Sequence, residues 1–570
     1  LRCFLKRLIS VRGITLQISK NTVMKQRTIK YLFTTISAGL ISSSLLAQGA
    51  SGGNSNILLY SLLAVVVLFI LGLLIQVSDN LLGIKAKQIG LDQEEHNFSV
   101  FPRLNEIFAV PKPNYIGSAP YVSLKKGFDI LLEGAAERKK LSVQARTFAV
   151  QPPNFKGISP IPKMEVEVGS EVQAGDVLFY AKAQPNIKFV TPVSGEIIAI
   201  NRGPKRAITE VVILADKTQR YRVLAPPSLD TCTREELRSF LMESGGWSLL
   251  RQRPFNVIPG EEDAPRDIFI STFDTAPLAP DANYIVADKA AEFQRGLDVL
   301  ARLTDGDVWL GLDARGKNAP AEAFTKASGV KMCWFSGQHP AGNVGVQIHH
   351  IRPIRSGEQV WTLGVQEVIT IGALFTQQRF QAARVVALTG NEFAQTGYVD
   401  TFIGANIGDL LAGNLKNDHI RVISGDVLSG AAKTNAGFLD VFDDQITVLE
   451  EGDDYEMFGW LAPSYRRPTV SRTYLSNLLF PSEPFQANTN THGEQRAFVV
   501  TGQYEDVLPM DVLPQHLFKS ILAGDIERME GLGIYELVEE DVALCEFACT
   551  SKQHLQSILR DGMEIIQEQI

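Results

Sequence analysis

An uncharged apolar run at residues 57–77, Ile-Leu-Leu-Tyr-Ser-Leu-Leu-Ala-Val-Val-Val-Leu-Phe-Ile-Leu-Gly-Leu-Leu-Ile-Gln-Val, limits what this chain can be. At about 1.5 Å of rise per residue, a helix of that length crosses a hydrocarbon core of roughly 30 Å. The run predicts one transmembrane helix within a segment 49–80. Residues 49–56 hold no Lys or Arg, whereas Lys85 and Lys87 follow the span, so flanking charge places its C-terminal side in the cytoplasm. Upstream, Lys25, Arg27 and Lys30 precede a moderately apolar stretch at 31–46, and 1–48 reads as a signal-like leader. Residues 81–120, with Pro102, Pro111, Pro113 and Pro120 and no long apolar period, read as a tether.

The rest of the 570 residues has the composition of a multidomain globular body, 45% hydrophobic and 21% charged. A net charge of -8 gives no electrostatic footprint for nucleic acid. The five cysteines, Cys3, Cys232, Cys333, Cys545 and Cys549, are odd in number and mostly far apart, which fits a reducing compartment better than a disulfide framework.

The fold class predicted is α/β multidomain. Residues 121–228 alternate apolar and polar positions around Gly169 and Gly175. A second strand pair then turns at Pro192 and Gly195. This strand, turn, strand duplication resembles the barrel-sandwich hybrid fold of lipoyl and biotinyl domains. Those domains carry their cofactor on a hairpin Lys about eight residues before the second turn. Here that count from Pro192 reaches Gln184, with Lys182 and Lys188 off position, so no swinging arm is expected.

Residues 229–371 alternate helical and strand patterns, the mark of a Rossmann-like α/β layer. Thr233 and Glu236 have capping-box spacing ahead of a helix at 234–243, and Gly245-Gly246 ends it. Residues 372–430 read as a β-grasp (SLBB-like) unit, and 431–570 as a C-terminal domain that ends in helices. No Walker loop, G-x-G-x-x-G after a strand, or Ser-His-Asp order points to an independent hydrolase, kinase or dehydrogenase.

Several stretches carry a more specific signal: Phe189-Val-Thr-Pro-Val-Ser-Gly and Asn201-Arg-Gly-Pro-Lys-Arg206, Glu243-Ser-Gly-Gly-Trp-Ser-Leu-Leu-Arg-Gln-Arg-Pro-Phe255, Gly337-Gln-His-Pro-Ala-Gly342, Arg421-Val-Ile-Ser-Gly-Asp-Val-Leu-Ser-Gly430, Phe458-Gly-Trp-Leu-Ala-Pro463, Leu508-Pro-Met-Asp511 and Glu540-Asp-Val-Ala-Leu-Cys545. Together they resemble the NqrA family of the Na+-translocating NADH:quinone reductases (Nqr), from about residue 121 to the C-terminus. The resemblance implies a peripheral subunit of a complex that oxidises NADH, reduces a quinone and exports Na+. It implies five sibling subunits, NqrB to NqrF, which carry the flavins, the iron–sulfur centre and the Na+ path. It also implies a bacterial inner-membrane location, with the large domain on the cytoplasmic side.

This family is similar in architecture to the flavoprotein of complex I and to the RnfC protein of the Rnf complex. Those relatives bind FMN and NADH through a glycine-rich loop, which lets backbone N–H groups approach a phosphate. Here the loop reads Ser244-Gly-Gly-Trp-Ser-Leu-Leu-Arg-Gln-Arg-Pro-Phe, with bulky Trp247, Leu249 and Leu250 where glycines would serve. No tightly bound cofactor is expected in this subunit. The competing expectation, an Rnf- or complex-I-type protein that itself binds NADH and flavin, needs glycines and cysteines that are missing. Cys545 and Cys549, spaced C-x₃-C without a third thiol nearby, read as a degenerate iron–sulfur remnant, with no metal site.

The candidate contacts for a quinone or anion are Arg251, Arg253, Phe255 and His339. The plainer reading makes the arginines a surface pair, and sets His339 in a turn before a strand that holds His349 and His350. No catalytic residue is nameable.

Overall fold

The computed structural model describes residues 112–157, 161–454, 469–471 and 482–569, together with positions 60, 62–67, 70, 74, 78 and 479. The chain divides into two units, Leu1–Pro111 and Lys112–Ile570. In the first unit, the leader 1–48 and most of the predicted span 57–77 lie outside the described residues. The positions described there are helical and exposed. Among the described residues no helix is long and apolar enough to cross a membrane.

The second unit centres on a six-stranded sheet. Its order is Tyr121–Ser123, Lys331–Ser336, Val308–Asp313, Ile268–Ser271, Val360–Leu363 and Arg251–Arg253. All neighbours are parallel except the last strand, which runs antiparallel to Val360–Leu363. Tyr121–Ser123, at the start of the expected β domain, pairs into this α/β sheet. The tether ends earlier than residue 120. Tyr115 already packs against Trp334, ring centres 5.4 Å apart, and its hydroxyl donates to the Gly316 carbonyl at 2.8 Å.

The helix Arg234–Glu243 carries the full capping box. Glu236 N donates to Thr233 Oγ1 at 3.2 Å, and Thr233 N donates to Glu236 Oε2 at 2.9 Å. Helices Ala290–Ala301 and Val365–Thr376 cross so closely that a Cβ on Gly372 would stand 1.8 Å from the Glu292 carbonyl oxygen. Only glycine permits that approach.

The barrel-sandwich hybrid is built from two antiparallel sheets. One has the order Thr147–Val150, Ile208–Ala215, Gly195–Arg202, Glu171–Val172. The other has the order Lys163–Met164, Val177–Ala181, Gln184–Val190. Phe179 and Phe189 stack 4.9 Å apart in its core. Ala181 pairs with Gln184, so Lys182 and Ala183 form the hairpin tip. Lys182, not the Gln184 reached by counting back from Pro192, therefore occupies the turn.

The β-grasp sheet has the order Gly397–Phe402, Ala383–Thr389, Gln445–Glu450, Ile420–Ser424, Ala431–Lys433. Its central strand lies beyond residue 430, so this unit reaches Glu450 and the boundary expected at 430 cuts through it. The C-terminal helices Pro514–Leu522, Ile526–Gly531, Glu539–Ala548 and Leu555–Gln567 close over a second apolar core that includes Leu517, Phe518, Leu544 and Leu559.

Candidate functional site

The loop after the capped helix is closed by its own side chains. Gly245 turns the chain in the left-handed region at φ 81°, and a Cβ there would stand 2.4 Å from Val190. Trp247, Leu249 and Leu250 are all buried. Trp247 Nε1 donates to the Pro259 carbonyl at 2.9 Å, and its ring meets Trp361 edge-on at 5.1 Å. Where an anion cradle would present backbone N–H groups to a ligand, this loop presents packed core.

The next residues reach a cleft of about 520 Å³. Its first wall is made by the C-terminal ends of parallel strands: residues 271–274 after Ile268–Ser271, 339–344 after Lys331–Ser336, and 362–366 at the end of Val360–Leu363. Open α/β sheets place ligand crevices at such ends. The β-grasp unit supplies Asp426, Asp443 and Asp444. The C-terminal helix Glu539–Ala548 supplies Glu539 and Glu540.

Three of the four predicted contact residues meet here. Arg251 stands over the Phe442 ring, 3.9 Å from its centre. Arg253 is 2% exposed, so the arginines are not a surface pair. Arg253 Nη1 donates to Asp541 at 2.7 Å and Nη2 to Glu540, both on the C-terminal helix. His339 is buried. Its Nδ1 lies 3.1 Å from Thr275 Oγ1, and its backbone N donates to Asp129 at 2.8 Å. Burial pushes the imidazole down to about 4, against the opposing pull of Asp426 and Asp129. His339 is thus a neutral ring at pH 7. Phe255 is not in the cleft wall: it packs edge-on against Tyr535 at 6.2 Å.

No catalytic or metal-binding motif marks the cleft carboxylates, although Asp426 lies within the stretch 421–430 and Glu540 within 540–545. Asp274 reaches solvent through the cleft but is ringed by protein, and this surrounding raises it to about 6, with Asp426 and Glu540 adding to the effect. Burial lifts Asp443 to about 7, assisted by Asp440 and opposed by the Ser424 hydroxyl, which donates to it at 2.5 Å. Asp444 is also raised by burial, against the pull of Arg384. The one local signal for Asp274 is its place, three residues past the end of a parallel strand.

Cys545 and Cys549 lie on or next to the helix that carries Glu540, yet outside the cleft wall. Both are buried, and the Tyr504 hydroxyl stands 2.9 Å from Cys549 Sγ. Burial pushes the Cys545 thiol far up, which disfavours the thiolate a metal needs. Among the described residues no group of three or more His, Cys, Asp or Glu is placed to hold a metal ion. His349 and His350 sit on a helix, Val344–Ile351, and not on the expected strand. They bind the C-terminal domain: His349 lies 2.7 Å from Glu536 and accepts from Asp511 N, and His350 Nε2 lies 2.8 Å from the Pro509 carbonyl oxygen.

Three family models match in the order of these domains. They are an NqrA N-terminal barrel-sandwich hybrid domain at 122–216, an NqrA second alpha/beta domain at 232–380 and an NQRA C-terminal domain at 385–435. The NqrA protein of Alcanivorax borkumensis, part of a Na(+)-translocating NADH-quinone reductase, is 38% identical over 451 residues, covering 78% of this chain and 99% of the relative. The chain belongs to the NqrA family. The NqrA proteins of Yersinia pestis and Neisseria meningitidis serogroup B are also 38% identical, each covering 79% of this chain and 100% of the relative. The second of the three family models takes in the closed loop and the cleft residues of the α/β sheet.

Proposed function

We propose that this chain serves as the NqrA component of a Na+-pumping NADH:quinone oxidoreductase, assembled with five sibling subunits, NqrB to NqrF, that carry the redox centres. The observation that carries the reading is identity of 38% along 99% and 100% of the length of two NqrA relatives. The chain acts as a peripheral docking body on the cytoplasmic face of the bacterial inner membrane. The extra span 57–77 ties it to the bilayer and raises its effective concentration at the complex.

It works without a tightly bound cofactor of its own. Supporting this, buried Trp247, Leu249 and Leu250 fill the loop where a flavin phosphate would sit. In the cleft, the carboxylates of Asp274, Asp426, Asp443, Asp444, Glu539 and Glu540 outnumber the cations of Lys156, Arg251 and Arg253, which disfavours a phosphate. The quinone-facing part of the reading falls on Arg251 and His339, whose nitrogens suit a quinone carbonyl.

Purification of the tagged full chain from its native membrane tests this. The expected result is co-purification with five siblings and Na+-stimulated quinone reduction. A chain that purifies alone, carrying its own flavin absorbance, overturns it.

A further inference from the structure

Arg202, Lys205 and Arg206 crowd the tip of one hairpin, between the paired strands Gly195–Arg202 and Ile208–Ala215, and all three are exposed. None makes an ion pair with a described carboxylate. The polar contact at the tip is internal, Arg202 Nη1 donating to the Arg206 carbonyl at 3.3 Å. Elsewhere in the same domain arginines are paired: Arg220 with Asp216 and Glu171, and Arg222 with Glu243. The tip is also held in shape. Gly203 N donates to the Ala207 carbonyl at 2.8 Å, and Ala207 N to the Pro204 carbonyl at 3.1 Å. Lys205 and Arg206 both adopt left-handed backbone, φ 53° and 65°, a strained pair of conformations for side chains of this size.

We infer that this hairpin tip is a docking plug for an acidic surface on a sibling protein of the complex. The inference rests on the reading of the chain as an NqrA component. Three unpaired cations held in a strained, fixed shape suit a partner with a matching acidic recess. A lipid surface would ask only for charge. The chain as a whole is acidic, at -8, so an acidic partner is repelled by most of the body and attracted here. Such a contrast orients encounter and fixes register more than it adds affinity.

The test uses the full chain in its native membrane complex, with Arg202→Glu, Lys205→Glu and Arg206→Glu combined, and a second variant with Gln at the same three positions. Retention with the siblings is followed over a rising salt series, and circular dichroism confirms folding of each variant. The expected result is release of the Glu variant about tenfold more readily than wild type, the Gln variant between them, and release of wild type itself promoted by salt. Retention of both variants equal to wild type overturns the plug while leaving the NqrA reading intact. Wild type that does not co-purify with siblings overturns the NqrA reading itself, and the plug with it. If the variants instead lose binding to phosphatidylglycerol vesicles and keep their siblings, the tip serves a membrane and the protein-partner proposal fails.

Discussion

Arg253 and Asp541 are 288 positions apart in sequence and 2.7 Å apart in space, both buried, so one hydrogen-bonded ion pair joins the strand after the closed loop to the C-terminal helix. A buried pair of this kind adds little net stability by itself, but removing one partner strands the other charge. Arg253→Met is expected to destabilise the protein by about 3–5 kcal/mol, read by denaturant unfolding. Adding Asp541→Leu should recover at least half of that loss. A double variant no better than the single one would mean the pair does not carry the contact between these domains.

The cleft sets two titrations against each other. His339 has its pKa pushed below the ordinary value, to about 4, so the fold favours the neutral ring. Its contribution is complete above the unfolded value and is lost as pH falls from about 6.5 toward 4. Asp443 and Asp274 are raised, to about 7 and about 6, so the fold favours their protonated forms and gains stability over much the same descent. His339→Gln should therefore tilt the stability profile toward greater stability as pH falls from 7 to 5. Asp443→Asn should tilt it the other way, since Asn can still accept from Ser424. Melting temperatures over that pH range check both, and parallel profiles for the two variants would contradict the assignment.

The cysteines make a simpler prediction. Cys232 is partly exposed, whereas Cys545 and Cys549 are buried, and the Cys545 thiol is raised by burial. Thiol labelling under native conditions should modify Cys232 and spare Cys545 and Cys549 until denaturant is added. The purified chain should show no absorbance band near 400 nm, where iron–sulfur clusters absorb. Rapid native labelling of Cys545 would show that the helix opens.

What can be read from the sequence is local. The capping box of Thr233 and Glu236 is a contact three residues long, and the helix it starts begins where the pattern places it. Trp247 and its neighbours announce a filled loop by size alone. What escapes is assembled from a distance. Tyr121–Ser123 crosses to pair with Lys331–Ser336, and Gln445–Glu450 returns to the middle of a sheet whose other strands precede it. The cleft gathers Asp274, Asp426, Asp443 and Glu540 from three separate domains, and no spacing rule connects them. Arg253 reads as half of a surface pair because its partners, Glu540 and Asp541, come almost three hundred residues later. The Val344-Gly-Val-Gln-Ile run alternates like a strand, but it forms a helix that buries Val346 and Ile348 and sets its histidines against the C-terminal domain, contacts that periodicity does not encode.

Those contacts form a latch. His349 Nε2 accepts from Asp511 N at 3.0 Å, so that nitrogen carries no proton, and Nδ1 is left to donate to Glu536 at 2.7 Å. His350 Nε2 donates to the Pro509 carbonyl at 2.8 Å, and burial lowers its pKa. Both rings therefore hold the 509–511 segment. For His350 the sign follows from the lowered pKa: its contribution is present above the unfolded value of about 6.5 and declines as pH falls through the folded one. His349→Ala removes an acceptor from Asp511 N and a partner from Glu536, and should cost about 1–3 kcal/mol. The loss should be local, since the helix Val344–Ile351 keeps Val346 and Ile348 buried. Hydrogen exchange at Asp511 should rise in the variant at pH 7.5. Unchanged protection at Asp511 in His349→Ala would show that the latch does not hold the domains together.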